Sequence, residues 1–242
     1  MTVFILRLLL FSLFFSNVVF GQGKENINIL IITGGHDFDR ESFFGMFDKF
    51  ENLNYQEVEH PEALNYLNLE KSSTYDVLVF YDMPSEISDK HKTDFLELAR
   101  NGKNMLFLHH SIVSYDGWEE YENLVGGHYY NRPYQKGNTE LPSSEYSHDE
   151  NIKVYIENKE HPITKGISDF DIFDETYNNV YINKNIEPLI ATDHPQSNKI
   201  IGWINRYKNS KIVYLQPGHG PQIFENKNYQ TLVEQSIRWL TE

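Results

Sequence analysis

Three short, almost unbroken apolar runs set what this chain can fold into: residues 28–33 (NILIIT), 76–81 (DVLVFY) and 105–108 (MLFL). Runs of this length and apolarity read as strands buried on both faces. Between them the periodicity changes. Residues 41–50 (ESFFGMFDKF) carry apolar side chains at helical spacing, Ser88 caps a helix that runs to Arg100 and stops at Asn101-Gly102, and a further helix over residues 118–125 stops at Gly126-Gly127. Strands alternating with helices imply an α/β fold with a parallel sheet covered on both faces. Residues 131–149 are polar and turn-rich and read as a long surface excursion. The C-terminal part is strand-dense, with residues 152–156, 189–192, 199–204 and 211–215. A closing helix over residues 229–240 puts Leu232, Val233, Ile237 and Leu240 on one face. With no internal repeat and no low-complexity linker, residues 22–242 read as one α/β domain.

Residues 1–21 read differently. Arg7 is their only charge, residues 8–20 are apolar apart from Ser12, Ser16 and Asn17, and Val19 and Gly21 are small enough to precede a cleavage before Gln22. The apolar stretch has about 13 residues against the roughly 20 that span a bilayer, so the expectation is a signal peptide and no stable membrane anchor. With no cysteine in the chain, a lipid-modified N-terminus and disulfides are excluded, leaving a soluble exported protein, periplasmic or secreted. Loss of Arg7 takes the net charge from −14 to −15. That acidic balance argues against a nucleic-acid partner, since phosphate binding needs a basic surface. Sixteen tyrosines suit a sugar-facing cleft and suit half-buried strands equally well.

Open parallel sheets bind ligands outside the carboxyl ends of their strands, and histidines recur there. His36 follows the first strand beside Gly35, His109 and His110 end the strand 105–108, His128 follows Gly126-Gly127, and His219 lies in Pro217-Gly218-His219-Gly220 after the strand 211–215. Histidine at four separate element ends, beside glycine at three of them, is a site signal, because glycine lets backbone approach a ligand. Each has a plain alternative. His36 could cap a turn, and His219 could bond only its own loop. Adjacent strand residues face opposite ways, so one of His109 and His110 is expected in sheet packing, with His110 favoured for the cleft. His60, His91 and His148 read as solvated surface residues, and His161, before Pro162, as structural.

In the stretch 171–177 (DIFDETY), Asp174, Glu175 and Tyr177 can supply a general base, a hydroxyl ligand or a metal ligand, or form a solvated strand end. Local zinc spacings such as H-E-x-x-H are absent, so no metal ligand and no cofactor is assigned; ligands would have to converge from remote loops.

Taken in order, Thr33-Gly34-Gly35-His36-Asp37-Phe38, Leu106-Phe107-Leu108-His109-His110-Ser111, Trp118-Glu119-Glu120-Tyr121 with Gly126-Gly127, His161-Pro162-Ile163-Thr164-Lys165-Gly166-Ile167, Asp174-Glu175-Thr176-Tyr177 and Pro217-Gly218-His219 resemble the ThuA-like (trehalose utilisation) family. The likeness spans nearly all of the mature chain. It implies a fold like that of class I glutamine amidotransferases, a flavodoxin-like three-layer α/β sandwich with a mainly parallel central sheet, and a place in bacterial handling of disaccharides or keto-sugars. An amidotransferase needs a cysteine at the sharp turn after a central strand, and this chain has none, so thiol-based glutamine hydrolysis is excluded. Ser111 stands near that turn without the G-x-S-x-G elbow of serine hydrolases.

The leading expectation is an enzyme acting on a carbohydrate by acid–base chemistry. His36, His110 and His219 are its proton-handling or hydroxyl-binding groups, and Gly35, His109, Trp118, His128, Asp174, Glu175 and Tyr177 its substrate-binding groups. A non-catalytic carbohydrate-binding protein and a metal-assisted hydrolase are the alternatives, and a homo-oligomer is left open.

Overall fold

The computed structural model describes residues 26–242; the signal-peptide expectation lies outside them. In chain order the first elements are β1 (Ile27–Gly34), α1 (Arg40–Phe47), β2 (Leu53–Glu59), α2 (Leu69–Ser72), β3 (Val77–Asp82), α3 (Asp89–Arg100) and β4 (Asn104–Leu108). They are followed by α4 (Glu119–Val125), β5 (Gly127–His128), β6 (Tyr134–Lys136), β7 (Thr139–Leu141), β8 (Glu145–Ile156), β9 (Phe170–Asn178) and β10 (Tyr181–Ile182). The chain closes with β11 (Glu187–Ala191), β12 (Ile200–Tyr207), β13 (Ser210–Leu215), α5 (Pro221–Glu225) and α6 (Lys227–Leu240).

Nine strands form one sheet in the order β2-β1-β3-β4-β13-β12-β11-β8-β9. The first five pair in parallel, in the 2-1-3-4-5 order of doubly wound flavodoxin-like folds, and the remaining four extend the sheet antiparallel from β13. The buried alternation of the strands explains the layers. Ile29, Ile31, Val77, Val79, Leu106, Leu108, Val213 and Leu215 face one side, where residues of α1, α5 and α6 cover them. Their neighbours Leu30, Ile32, Leu78, Phe80, Met105, Phe107, Ile212 and Tyr214 face the other, under α3 and α4. Ile29 to Ile32 are fully buried, and each such side chain stabilises the fold by about 1.5–3 kcal/mol.

The expected three-layer α/β architecture is present, and the amphipathic helices lie where periodicity put them. Ser88 caps α3 by accepting from the His91 N–H, and α6 starts two residues before the expected 229. The stretch 131–149 holds more order than a surface excursion: β6 and β7 pair as a hairpin, and β8 begins at Glu145. Among the described residues, no helix is long and apolar enough to cross a membrane.

Candidate functional site

The chain leaves β4 abruptly. Leu108 is still extended, but His109 takes a left-handed backbone (φ +48°) and starts a short 3-10 turn through Val113. Such a conformation is costly for a residue with a Cβ and persists only where the surroundings hold it. The Tyr214 hydroxyl donates to the His109 carbonyl at 3.1 Å, and the ring Nδ1 meets the Gln216 carbonyl at 2.8 Å. The strand alternation expected for His109 and His110 therefore never applies. Both are buried, and both face one cavity of about 240 Å³.

That cavity lies where the carboxyl ends of β1, β3 and β4 meet β9. His36, Met83, His109, His110, Tyr129, Asn131, Tyr146, His148, Glu175 and Tyr177 line it, with Val113. His36 stacks on His110 with ring centroids 4.9 Å apart, and Tyr81 packs against the other side of His110 at 4.3 Å. Neither nitrogen of the His110 ring has a well-aligned hydrogen-bond partner, although the Tyr81 backbone lies beside the ring and weakly favours its protonated form. Burial, reinforced by the fields of His109, His36 and His219, holds this imidazole neutral, well below the ordinary histidine range.

β9 supplies the opposite wall. Glu175 Oε2 lies 3.1 Å from His109 Nε2 and 3.5 Å from His219 Nδ1, while its Oε1 lies 3.1 Å from His148 Nδ1. His109 Nε2 also lies 3.3 Å from His219 Nδ1 and 3.1 Å from the Tyr177 hydroxyl. Burial pulls the His109 pKa down, but the Glu175 hydrogen bond and the charges of Asp174 and Glu175 outweigh it, and the net direction is up. Burial likewise works against ionised Glu175, and the surrounding histidines overcome it, leaving its carboxyl below the usual range. His219 is lowered, by burial first and His109 next, and the Tyr177 hydroxyl is pushed far up by burial and by Glu175. Among the described residues, His109, Glu175 and His219 are the group whose three metal-competent atoms lie within 4.8 Å of one another. No local motif announced it, because its members come from three separate stretches of chain.

Other expected residues hold different places. Asp174 is buried and accepts the backbone N–H of Gly218 at 2.7 Å and of His219 at 2.9 Å, so it fixes the loop that carries His219 instead of facing the cavity. Gly35 presses against the Met83 backbone, where a Cβ would come within 2.4 Å of the carbonyl oxygen; it allows the loop before His36 to lie close to the end of β3. Trp118 is absent from this cavity and lines a separate one with Lys92, Tyr115 and Asp116. His128 is buried between Asp116 and Tyr130, also outside it. His219 packs against His36, His109 and His148. Ser111 is fully buried beneath the turn and does not line the cavity.

Of the histidines read as solvated, His148 is exposed as expected yet lines the cavity rim, and His60 is corrected. His148 reaches Glu175 from β8, where a bulge sets His148 and Asp149 (φ +60°) between the Ser147–Thr176 and Glu150–Asp174 pairs, and bulges re-aim side chains beside sites. His60 is largely buried, its Nε2 2.8 Å from Asp82 Oδ2. His161 is structural, its Nδ1 accepting the Ile163 N–H while its ring packs on Trp239.

The sequence model of the ThuA family, described as "Trehalose utilisation", matches residues 28–240. No curated protein matches the sequence at a significant level. In structure the chain is similar to a ThuA-like protein from Parabacteroides merdae (TM-score 0.70, 16% identity, 90% of each chain covered). It is also similar to a ThuA-like protein from Bacteroides uniformis (TM-score 0.65, 19% identity, 89% of this chain and 91% of that one). A cold-adapted β-galactosidase from Rahnella sp. R3 contains a similar fold over 32% of its length (TM-score 0.53, 12% identity, 88% of this chain).

Proposed function

Because this chain belongs to the trehalose-utilisation (ThuA) family, we propose that its histidine-lined cavity is the active site of an exported enzyme acting on a disaccharide or keto-sugar by histidine-mediated proton transfer. One observation carries the reading. His110 is buried, forms a wall of the cavity and has no well-aligned partner for either ring nitrogen, although a buried polar group without a partner costs about 1–3 kcal/mol. A ligand that donates to one nitrogen or accepts from the other repays that cost on binding, as a sugar hydroxyl or carbonyl does.

The remaining walls suit a polyol. Tyr129, Tyr146 and Tyr177 offer aromatic faces and hydroxyls, and Asn131 adds an amide. His36, stacked on His110, gives a second imidazole along the same wall, so a proton taken at one carbon can be returned at a neighbouring atom. Isomerisation, elimination or glycoside cleavage next to a carbonyl all need this pairing.

The test is turnover of a panel of glucosides, disaccharides and their 3-keto forms by the mature protein. Product formation is expected, and His110→Gln should lower kcat by roughly 10²–10⁴-fold while changing ligand affinity much less. Saturable sugar binding with no product from any member of the panel refutes catalysis and establishes a carbohydrate-binding protein.

A further inference from the structure

The His109–Glu175–His219 triangle has a property that the proton-transfer reading does not use. His109 Nδ1 points at the Gln216 carbonyl at 2.8 Å, so in the neutral ring the proton sits on Nδ1 and the lone pair on Nε2. That lone pair faces an oxygen of Glu175 at 3.1 Å and Nδ1 of His219 at 3.3 Å, and the third edge, from Glu175 to His219, is 3.5 Å. A proton on His109 Nε2, shared with Glu175, satisfies one of these contacts at a time, whereas a cation among the three atoms satisfies all of them at once.

The edge lengths identify a fitting centre. Zinc bonds of about 2.0–2.1 Å at tetrahedral angles place neighbouring ligand atoms about 3.3–3.4 Å apart, whereas right-angled octahedral bonds of similar length place them about 3.0 Å apart. The three edges, 3.1, 3.3 and 3.5 Å, bracket the tetrahedral value, and two imidazoles with one carboxylate are a donor set that zinc takes.

The supporting contacts also match a built site. The Gln216 carbonyl orients His109, and the two backbone N–H groups bound by Asp174 fix the loop that carries His219. His148 holds the second oxygen of Glu175 from the β8 bulge, which leaves Oε2 for the shared point. Two histidines and one carboxylate leave a fourth position open, as in catalytic zinc sites, and His109 and Glu175 both border the cavity.

We propose that His109 Nε2, Glu175 Oε2 and His219 Nδ1 bind one divalent transition-metal ion, with zinc the best geometric fit and the fourth position directed at the cavity. The ion stands on this geometry alone. Its ligand class rests on the catalytic reading above: a carbonyl or deprotonated hydroxyl oxygen of a sugar takes the fourth position, polarised by the metal beside His110.

The experiment uses the untagged mature protein, treated with chelator, dialysed and titrated with Zn²⁺ by calorimetry. Binding of one equivalent per chain is expected. Glu175→Gln and His219→Ala should each weaken it by about a hundredfold or more, while His91→Ala, in the first turn of α3 and outside the cavity, leaves it unchanged. Circular dichroism verifies that each variant is folded, and a Co²⁺-loaded sample should show the visible bands of four-coordinate cobalt, which a structural role for these residues would not produce. Absence of saturable binding overturns the proposal, as does unchanged stoichiometric binding in both ligand variants. Sugar turnover by protein that takes up no metal overturns the metal site alone. Stoichiometric binding with no turnover overturns the catalytic reading alone.

Discussion

His128 offers a test of the packing around α4 that is independent of the cavity. It sits in β5, paired with Tyr181 of β10, and its ring is 2% exposed with no partner for either nitrogen. The charges facing it are Asp116, with Oδ1 at 3.9 Å from Nε2, Glu122 of α4 and Lys136 of β6, and the Tyr130 ring packs edge-on. Burial dominates and pulls its pKa from 6.5 to about 4, with the two carboxylates opposing and Lys136 assisting. The folded ring is therefore neutral at pH values where the unfolded chain has already taken up a proton. Its stabilising contribution is complete above about pH 6.5 and is lost as pH falls toward 4. Linkage gives about 3 kcal/mol for the full loss and about 2 kcal/mol between pH 7 and pH 5. Urea unfolding at those two pH values, for wild type and for the non-titrating variants His128→Gln and His128→Phe, isolates the effect from carboxylates common to all three. Wild type should lose about 2 kcal/mol more than either variant on going to pH 5. Parallel losses, within about 0.5 kcal/mol, would falsify the argument, because they require a ring that takes its proton equally well in both states.

Four further outcomes are expected. Gly218→Ala should destabilise by about 1–3 kcal/mol in denaturant melts and reduce turnover more than that implies, since its Cβ would meet the Tyr229 hydroxyl at 3.0 Å and His109 Cβ at 3.1 Å. Asp174→Ala leaves the N–H groups of Gly218 and His219 without their acceptor and should cost about 2–4 kcal/mol; normal stability would refute the anchoring role. Trp203→Phe removes the indole N–H bonded to the Val125 carbonyl at 2.9 Å and should cost about 1 kcal/mol or more, read in the same melts. N-terminal sequencing of protein recovered outside the cytoplasm should begin at Gln22; an intact leader held in membrane would refute the export reading.

The strands that sequence disclosed most plainly are those with no exposed face. β1, β3 and β4 bury side chains on both sides, so their apolar runs cannot be mistaken. β2 alternates at an edge and passes unnoticed among polar residues. β9 hides for a different reason: Asp174, Glu175 and Thr176 are polar yet buried, and the site supplies partners for the two carboxylates in place of solvent. The histidines at strand ends were legible as a group, since His36, His109, His110 and His219 do converge. Their partners were not. His148 depends on a bulge, His60 on a carboxylate 22 residues away, and the choice between His109 and His110 on a turn that interrupts the strand one residue early.

The bulge in β8 also divides that strand into two lengths with different duties. Beyond it, Ile152, Val154 and Ile156 alternate into the core, while before it Tyr146 and His148 serve the cavity rim. In an uninterrupted strand, a one-residue change in length would turn every later side chain to the opposite face. Here the extra residue at 148–149 offsets the two lengths by one position, so the outer one turns its side chains to the cavity independently of the inner one, which keeps its core register. A change confined to the outer length therefore alters the cavity rim while leaving the core face in place. Diversification within this family should concentrate on the outer length of β8 and the β6–β7 hairpin that precedes it.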